Sequence, residues 1–212
     1  MVASVDGAVT VDGRSGGLSG PGDKVIFFAL RSIADVILVG AGTARAENYG
    51  PPRITDDQRD ARVARGQEPA PTIAVVSGRL HLDPAARLFV DSPTRPIILT
   101  TEHADADRRT ALDEVGEILP AGATAFDPAL ALDLLRQRGA RVVVCEGGPT
   151  LNGWLLAAGL VDELCLTVAP LLVGGEDPRL AHGVATEPAL AVDLDRILTE
   201  QGFLFLRSLV RR

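Results

Sequence analysis

The sequence predicts an α/β protein with a mixed, mostly parallel sheet and antiparallel strands at its C-terminal end. Three observations carry this. Apolar runs of strand length alternate with helical periodicity through most of the chain, the pattern of a largely parallel sheet. After Asp162 the style changes to long strand-like runs with no helix between them, which adds an antiparallel edge. The 212 residues are 46% hydrophobic and 23% charged, an ordinary globular balance for one domain spanning 1–212.

Taken in order, strands are expected at residues 2–5, 36–40, 72–76, 97–101 and 142–145, with helices at 22–33, 104–114, 128–138 and 151–158. Pro21 stands ahead of the first helix, where a missing N–H costs little. Asp127-Pro128 opens the third in the same way, and Gly139 closes it. Residues 163–172 read as a long strand, and 189–194 with 203–210 as a terminal antiparallel pair. Asp56, Asp57 and Asp60 lie beside Arg59 and Arg62 on a polar helix, read as a solvated face. Residues 1–5 resemble the second half of a strand, so either this edge is short or a few residues precede it.

The net charge of −7 argues against nucleic acid as a partner, since phosphate backbones need a basic face. No apolar stretch reaches membrane-spanning length and no leader is evident, which points to a cytoplasmic protein. Cys145 and Cys165 sit in apolar runs and suit reduced core thiols better than a disulfide. His81, His103 and His182 are scattered without metal spacing, so no metal is expected. A zinc deaminase signature, a Gly-x-Ser-x-Gly elbow and a Walker loop are all missing.

What remains is glycine-lined strand ends with hydroxyls and arginines. In open α/β sheets ligands bind at the carboxyl ends of strands. Gly40-Ala41-Gly42-Thr43 follows one strand, with Arg45 where the dinucleotide pattern wants a third glycine. Ser77-Gly78-Arg79 follows another. The segment "RVVVCEGGPTLNGWLLAAGLVDEL" (141–164) is the best case: two glycines after a strand, a threonine where a helix cap belongs, and Glu146 beside them. This inventory suits hydride transfer, in which a cofactor brings the chemistry and the protein holds two ligands.

The stretches "MVASVDGAVT", "DVILVGAGTARAENYGP" and "CEGGPTLNGWLLAAGLVDELCLTVAPLLVGG" resemble, in order and spacing, the reductase domain of bacterial riboflavin biosynthesis. The resemblance covers essentially the whole chain and implies a three-layer α/β/α, dihydrofolate reductase-like fold, a reductase without its deaminase domain, and a homodimer. It implies NADPH as hydride donor and a phosphoribosylaminopyrimidine as acceptor. Ser15, Arg31, Arg53 and Glu146 match substrate contacts, with Glu146 also the catalytic-site carboxylate. Thr43, Glu47, Ser77, Arg79, Gly147, Gly148, Pro149, Thr150, Leu151, Asn152 and Gly153 match cofactor contacts, Arg79 at the 2′-phosphate. The Gly147–Gly148 peptide is expected to be cis. Gly16-Gly17-Leu18 replaces a tryptophan common in the family and implies a roomier pocket. A carboxylate at 146 can accept two N–H bonds from an amidine-like edge. Reduction of a related ring such as dihydrofolate, or nucleotide binding without turnover, are the competing readings.

Overall fold

The computed structural model describes residues 1–176, 178–183 and 185–211. The element order opens with β1 (Val2–Ser4), a 3-10 turn (Ser15–Gly17), α1 (Pro21–Ile33), β2 (Val36–Gly40), α2 (Ala41–Ala46) and α3 (Asp56–Ala64). It continues with β3 (Thr72–Val76), α4 (Arg87–Val90), β4 (Ile97–Thr100), α5 (Ala106–Asp113), β5 (Glu117–Pro120) and α6 (Pro128–Gln137). It ends with β6 (Val143–Cys145), α7 (Pro149–Ala157), β7 (Glu163–Ala169), β8 (Val192–Glu200) and β9 (Phe203–Val210). The chain divides into two units, Phe28–Glu146 and Met1–Phe27 with Gly147–Arg212.

The Phe28–Glu146 unit holds a five-stranded sheet in the order β5-β4-β3-β2-β6, parallel at every pairing. Residues 36–39, 73–76 and 97–100 are buried throughout, as strands covered on both faces must be. Ile37, Val39, Ile73, Val75 and Ile98 join Leu80, Leu88 and Leu112 in one core cluster. Asp35 ties β6 to β2: its carboxylate accepts the N–H groups of Arg141 and Val142, each at 2.8 Å. Asp127 caps α6 through the amides of Ala129 and Leu130, and Gly139 follows it at φ +89°. Strand order reverses at β2, because β3 lies on one side and β6, reached much later in sequence, on the other. That is the topological switch where α/β sheets place their ligands.

The other unit holds a four-stranded mixed sheet in the order β1-β7-β9-β8. β1 runs parallel to β7, and β7, β9 and β8 are antiparallel to one another. Asp6 fixes the chain after β7: its carboxylate accepts from Ser4 Oγ at 2.5 Å and from the amides of Val173 and Gly174. Those bonds, the Ser4 hydroxyl first, hold its pKa down to about 2.

Several expectations change. The antiparallel strands form their own mixed sheet instead of an edge on the parallel one. β7 stops at Ala169, before Pro170, which has no N–H for the ladder. β8 runs 192–200 instead of 189–194, because a bulge between Leu194 and Arg196 resets the alternation that marks a strand. β5 and α4 were not foreseen; both are only four residues long. Both cysteines are free and half-buried, not fully in the core. Burial, then Glu163, pushes the Cys165 thiol up to about 11.

The largest correction is Arg62, expected on a solvated face but fully buried. Its Nε donates to the Glu68 carbonyl at 2.8 Å, and Nη1 donates to the carbonyls of Ser32 and Ala34 at 3.1 and 2.6 Å. It thereby satisfies carbonyls that α1 leaves open at its C-terminus. Arg62→Ala is expected to cost about 3 kcal/mol in urea unfolding, from lost charge-assisted bonds and carbonyls left bare. An effect below about 1 kcal/mol, the range of exposed polar sites, would return Arg62 to the surface.

Candidate functional site

The switch between β2 and β6 is where charged groups converge. β6 ends at Cys145, and Glu146 follows with its amide bonded to the Leu38 carbonyl of β2 at 2.9 Å. Arg31, in the last turn of α1, meets the Glu146 carboxylate with two parallel bonds, Nε to Oε1 and Nη2 to Oε2, each 2.7 Å. The two side chains are only 9% and 6% exposed. This is the bidentate geometry that makes an arginine–carboxylate contact both strong and orienting.

A third group joins them. Tyr49 donates its hydroxyl to Glu146 Oε2 at 2.5 Å, and the Arg31 guanidinium lies 5.4 Å from the centre of its ring. Its placement is a backbone matter. α2 ends in a Schellman turn: Asn48, at φ +48°, donates to the Arg45 carbonyl and Tyr49 to that of Ala44. The chain reverses there and delivers the phenol to Glu146. Sequence reading passed over Tyr49; an asparagine just after a helical run, followed by the chain's single tyrosine, was the available signal.

The electrostatics follow from burial. Burial and then the Glu146 charge and hydrogen bond push the Tyr49 phenol well above its ordinary pKa. For Arg31, burial is the largest influence and works against the charge, but Glu146 outweighs it and holds the guanidinium above its ordinary value.

The other expected substrate residues are more dispersed. Arg53 is exposed in the loop after Pro52, and Ser15 opens the 3-10 turn of the other unit. The space expected from Gly16-Gly17-Leu18 is partly filled. A Cβ on Gly17 would lie 2.9 Å from that of Val11, and Leu18 is buried in a small core with Val2 and Ala169.

The expected cofactor residues also divide between the units. In Phe28–Glu146, Thr43 lies within α2 and Glu47 is its C-cap. Ser77 is buried at the end of β3 and Arg79 is exposed two residues on. Leu80 holds that turn: it sits at φ +50°, a strained conformation for leucine, while its side chain is fully buried. In the other unit, Gly147 is buried at φ +88°, a conformation that favours glycine. The Gly147–Gly148 peptide is cis, as the resemblance implies. Gly148 is the N-cap of α7 with no side-chain cap, so Thr150 is not the cap. Leu151 is buried beneath the helix.

Two of these residues have structural partners. A Cβ on Gly153 would fall 2.1 Å from the His182 carbonyl oxygen, so this glycine admits the 182 backbone. Asn152 donates to the Leu180 carbonyl at 2.8 Å, and His182 N donates to Pro149 O at 3.0 Å. Within the Gly147–Arg212 unit, an uncapped helix start and the glycine backbone before it fit an anionic group of a nucleotide; within the Phe28–Glu146 unit, Arg79 is an exposed fork donor of the kind that meets phosphate. No helix among the described residues is long and apolar enough to cross a membrane.

A parallel sheet with a buried, oriented carboxylate at its switch point describes an α/β ligand-binding fold with a polar recognition centre. The chain belongs to the RibD C-terminal domain family, whose model matches residues 1–200. It is 35% identical over 182 residues to the 2,5-diamino-6-ribosylamino-4(3H)-pyrimidinone 5′-phosphate reductase of Methanothermobacter thermautotrophicus, covering 82% of this chain and 80% of that one. It is 32% identical over 174 residues to the riboflavin biosynthesis protein RibD of Mycobacterium tuberculosis, 81% of this chain but 41% of that longer protein. Its structure matches the crystal structure of a pyrimidine reductase-like protein from Corynebacterium diphtheriae with a TM-score of 0.91 and 29% identity, covering 100% and 90% of the two chains.

The single tyrosine makes the centre measurable. The fold favours the neutral phenol, so this contribution to stability is complete below the ordinary phenol pKa of about 10 and is lost as pH rises beyond it. Near-ultraviolet titration should show no tyrosinate until well above that value, its appearance coinciding with unfolding. A transition at the ordinary value in folded protein would contradict the buried hydrogen bond.

Proposed function

We propose that this chain is an NADPH-dependent reductase of a phosphoribosylaminopyrimidine in riboflavin biosynthesis. The observation that carries the reading is the Glu146 carboxylate, clamped by Arg31 and Tyr49 at the β2–β6 switch. A carboxylate so oriented is suited to receive an N–H of a pyrimidine ring. The relatives' printed activity supplies the substrate class.

Bound NADPH supplies the hydride that reduces the opened ribosylamino carbon to a ribityl CH₂. The chain's own residues bind and orient. Glu146 fixes the ring and Arg31 holds Glu146. Exposed Arg53 is available to the ribose phosphate, with Ser15 a further substrate contact. Cofactor contacts are assigned to Thr43, Glu47, Ser77 and Arg79, and to the backbone of Gly147, Gly148, Pro149, Thr150 and Leu151. Asn152 and Gly153 support that backbone through the 180–182 segment. The free thiols suit a reducing, cytoplasmic setting.

The test is NADPH oxidation against the phosphoribosylaminopyrimidine and, in parallel, dihydrofolate. Turnover of the first alone is expected; turnover of dihydrofolate alone, or of neither, would overturn the assignment. Glu146→Gln should lower kcat/KM by about a hundredfold or more, with the melting transition read alongside. Arg79→Ala should weaken NADPH by about tenfold and leave NADH little changed, because one charge-assisted contact to the 2′-phosphate is lost. Equal loss for both cofactors would remove the 2′-phosphate role.

We also propose a homodimer. β8 is an edge strand exposed along its length, with Val192, Leu194, Ile197 and Leu198 each 49–55% exposed. A long apolar edge invites pairing with a second copy. Sedimentation at micromolar concentration should give twice the chain mass; a monomer would refute it.

A further inference from the structure

In Gly40-Ala41-Gly42-Thr43-Ala44-Arg45 an arginine stands where a dinucleotide loop would place its third glycine. The structure gives that arginine another task. Arg45 lies in the last turn of α2 and is exposed, yet its Nη1 donates to the His81 carbonyl at 2.7 Å, 36 residues along the chain. His81 follows Arg79 by two residues, so the bond ties α2 to the turn that presents Arg79. Helical geometry puts Arg45 about 200° round the axis from Thr43, whereas Glu47 returns to within about 40° of it. Thr43 and Glu47 thus share one side of α2, and Arg45 leaves from the other.

The turn is held elsewhere as well. The Ser77 amide donates to the Leu99 carbonyl at 2.9 Å, and the Ser77 carbonyl accepts the buried Thr100 hydroxyl at 2.8 Å. Leu80 sits in the core cluster, its amide on the Ser77 carbonyl and its own carbonyl receiving the Leu82 amide at 2.9 Å. These contacts fix the turn to β4 and the core, not to α2. Between α2 and the segment after the turn lies a cavity of about 170 Å³, lined by Ala44, Asn48, Leu82, Leu88 and Phe89 together with Arg45. Close packing is what ordinarily sets the distance between neighbouring elements. Across this gap it cannot, and the Arg45 bond sets it instead.

We propose that Arg45 is a positioning residue for cofactor choice: by holding the His81 carbonyl it sets Arg79, relative to Thr43 and Glu47, where it meets a 2′-phosphate. This rests on Arg79 being the 2′-phosphate contact. NADH offers Arg79 no such group, so the placement of the turn matters to NADPH alone. Without Arg45 the Arg79 side chain is chemically unchanged but ranges over more positions. Part of its contact is then spent on ordering it.

Arg45→Met keeps the apolar stem and removes both the charge and the donor. This variant, Arg79→Ala, the double variant and wild type are titrated calorimetrically with NADPH and with NADH, with urea unfolding of each. Arg45→Met should weaken NADPH by about fivefold, part of the roughly tenfold contact of Arg79, and leave NADH within about twofold. In the Arg79→Ala background the same change should cost NADPH little, because the residue it serves is gone. Amide exchange of Leu80 and Leu82 in the cofactor-free protein should quicken by about tenfold. Equal weakening of both cofactors would mark a general loss of structure. A loss that persists in Arg79→Ala would mark a direct action of the Arg45 charge on the cofactor. Either result overturns the proposal, as does unchanged exchange or unchanged NADPH affinity. If Arg79→Ala itself spares NADPH, or wild type binds neither cofactor, the reading of Arg79 fails and the inference falls with it.

Discussion

The bidentate contact between Arg31 and Glu146 organises the centre of the Phe28–Glu146 unit. It joins the last turn of α1 to the carboxyl end of β6 across 115 residues of sequence. A buried pair of this kind adds little net stability, because desolvating both ions offsets most of their attraction. Its contribution is directional. Two parallel bonds fix the plane of the carboxylate, and the tyrosine hydroxyl then completes one edge of it.

Much of the scaffold was legible because it is written locally. The buried strands declare themselves as apolar blocks, and α6 carries its own punctuation in Asp127, Pro128 and Gly139. The β2 and β3 boundaries follow from the same signals. Where reading failed, the deciding contact was remote. Arg62 looks like one more charge on a polar helix until the carbonyls of Ser32, Ala34 and Glu68 are seen around it. β8 hides behind a bulge that breaks its period. Glu146 stood out as a carboxylate before two glycines, but its commitment to Arg31 and Tyr49 depends on how α1 and the end of α2 fold back on the sheet. No spacing rule within the sequence reports that.

A similar division separates the residues proposed to contact the cofactor by what holds them. The Ser77-Gly78-Arg79 turn is rigid because Leu80, though in an unfavourable backbone region, is anchored by complete burial of its side chain. Core packing thus offsets a local cost so that an exposed arginine is presented from a fixed base. At the start of α7 the fixing is done by backbone, through His182 and Pro149, and through the Asn152 amide on the Leu180 carbonyl.

That last arrangement bears on how the chain can vary. Gly153 sits mid-helix, where alanine would ordinarily be the better helix former. Here the carbonyl of His182 occupies the volume that any side chain would need. A lineage that abandons glycine at 153 must therefore also re-route its backbone at 182. The two positions are bound to drift together, although neither side chain recognises the other.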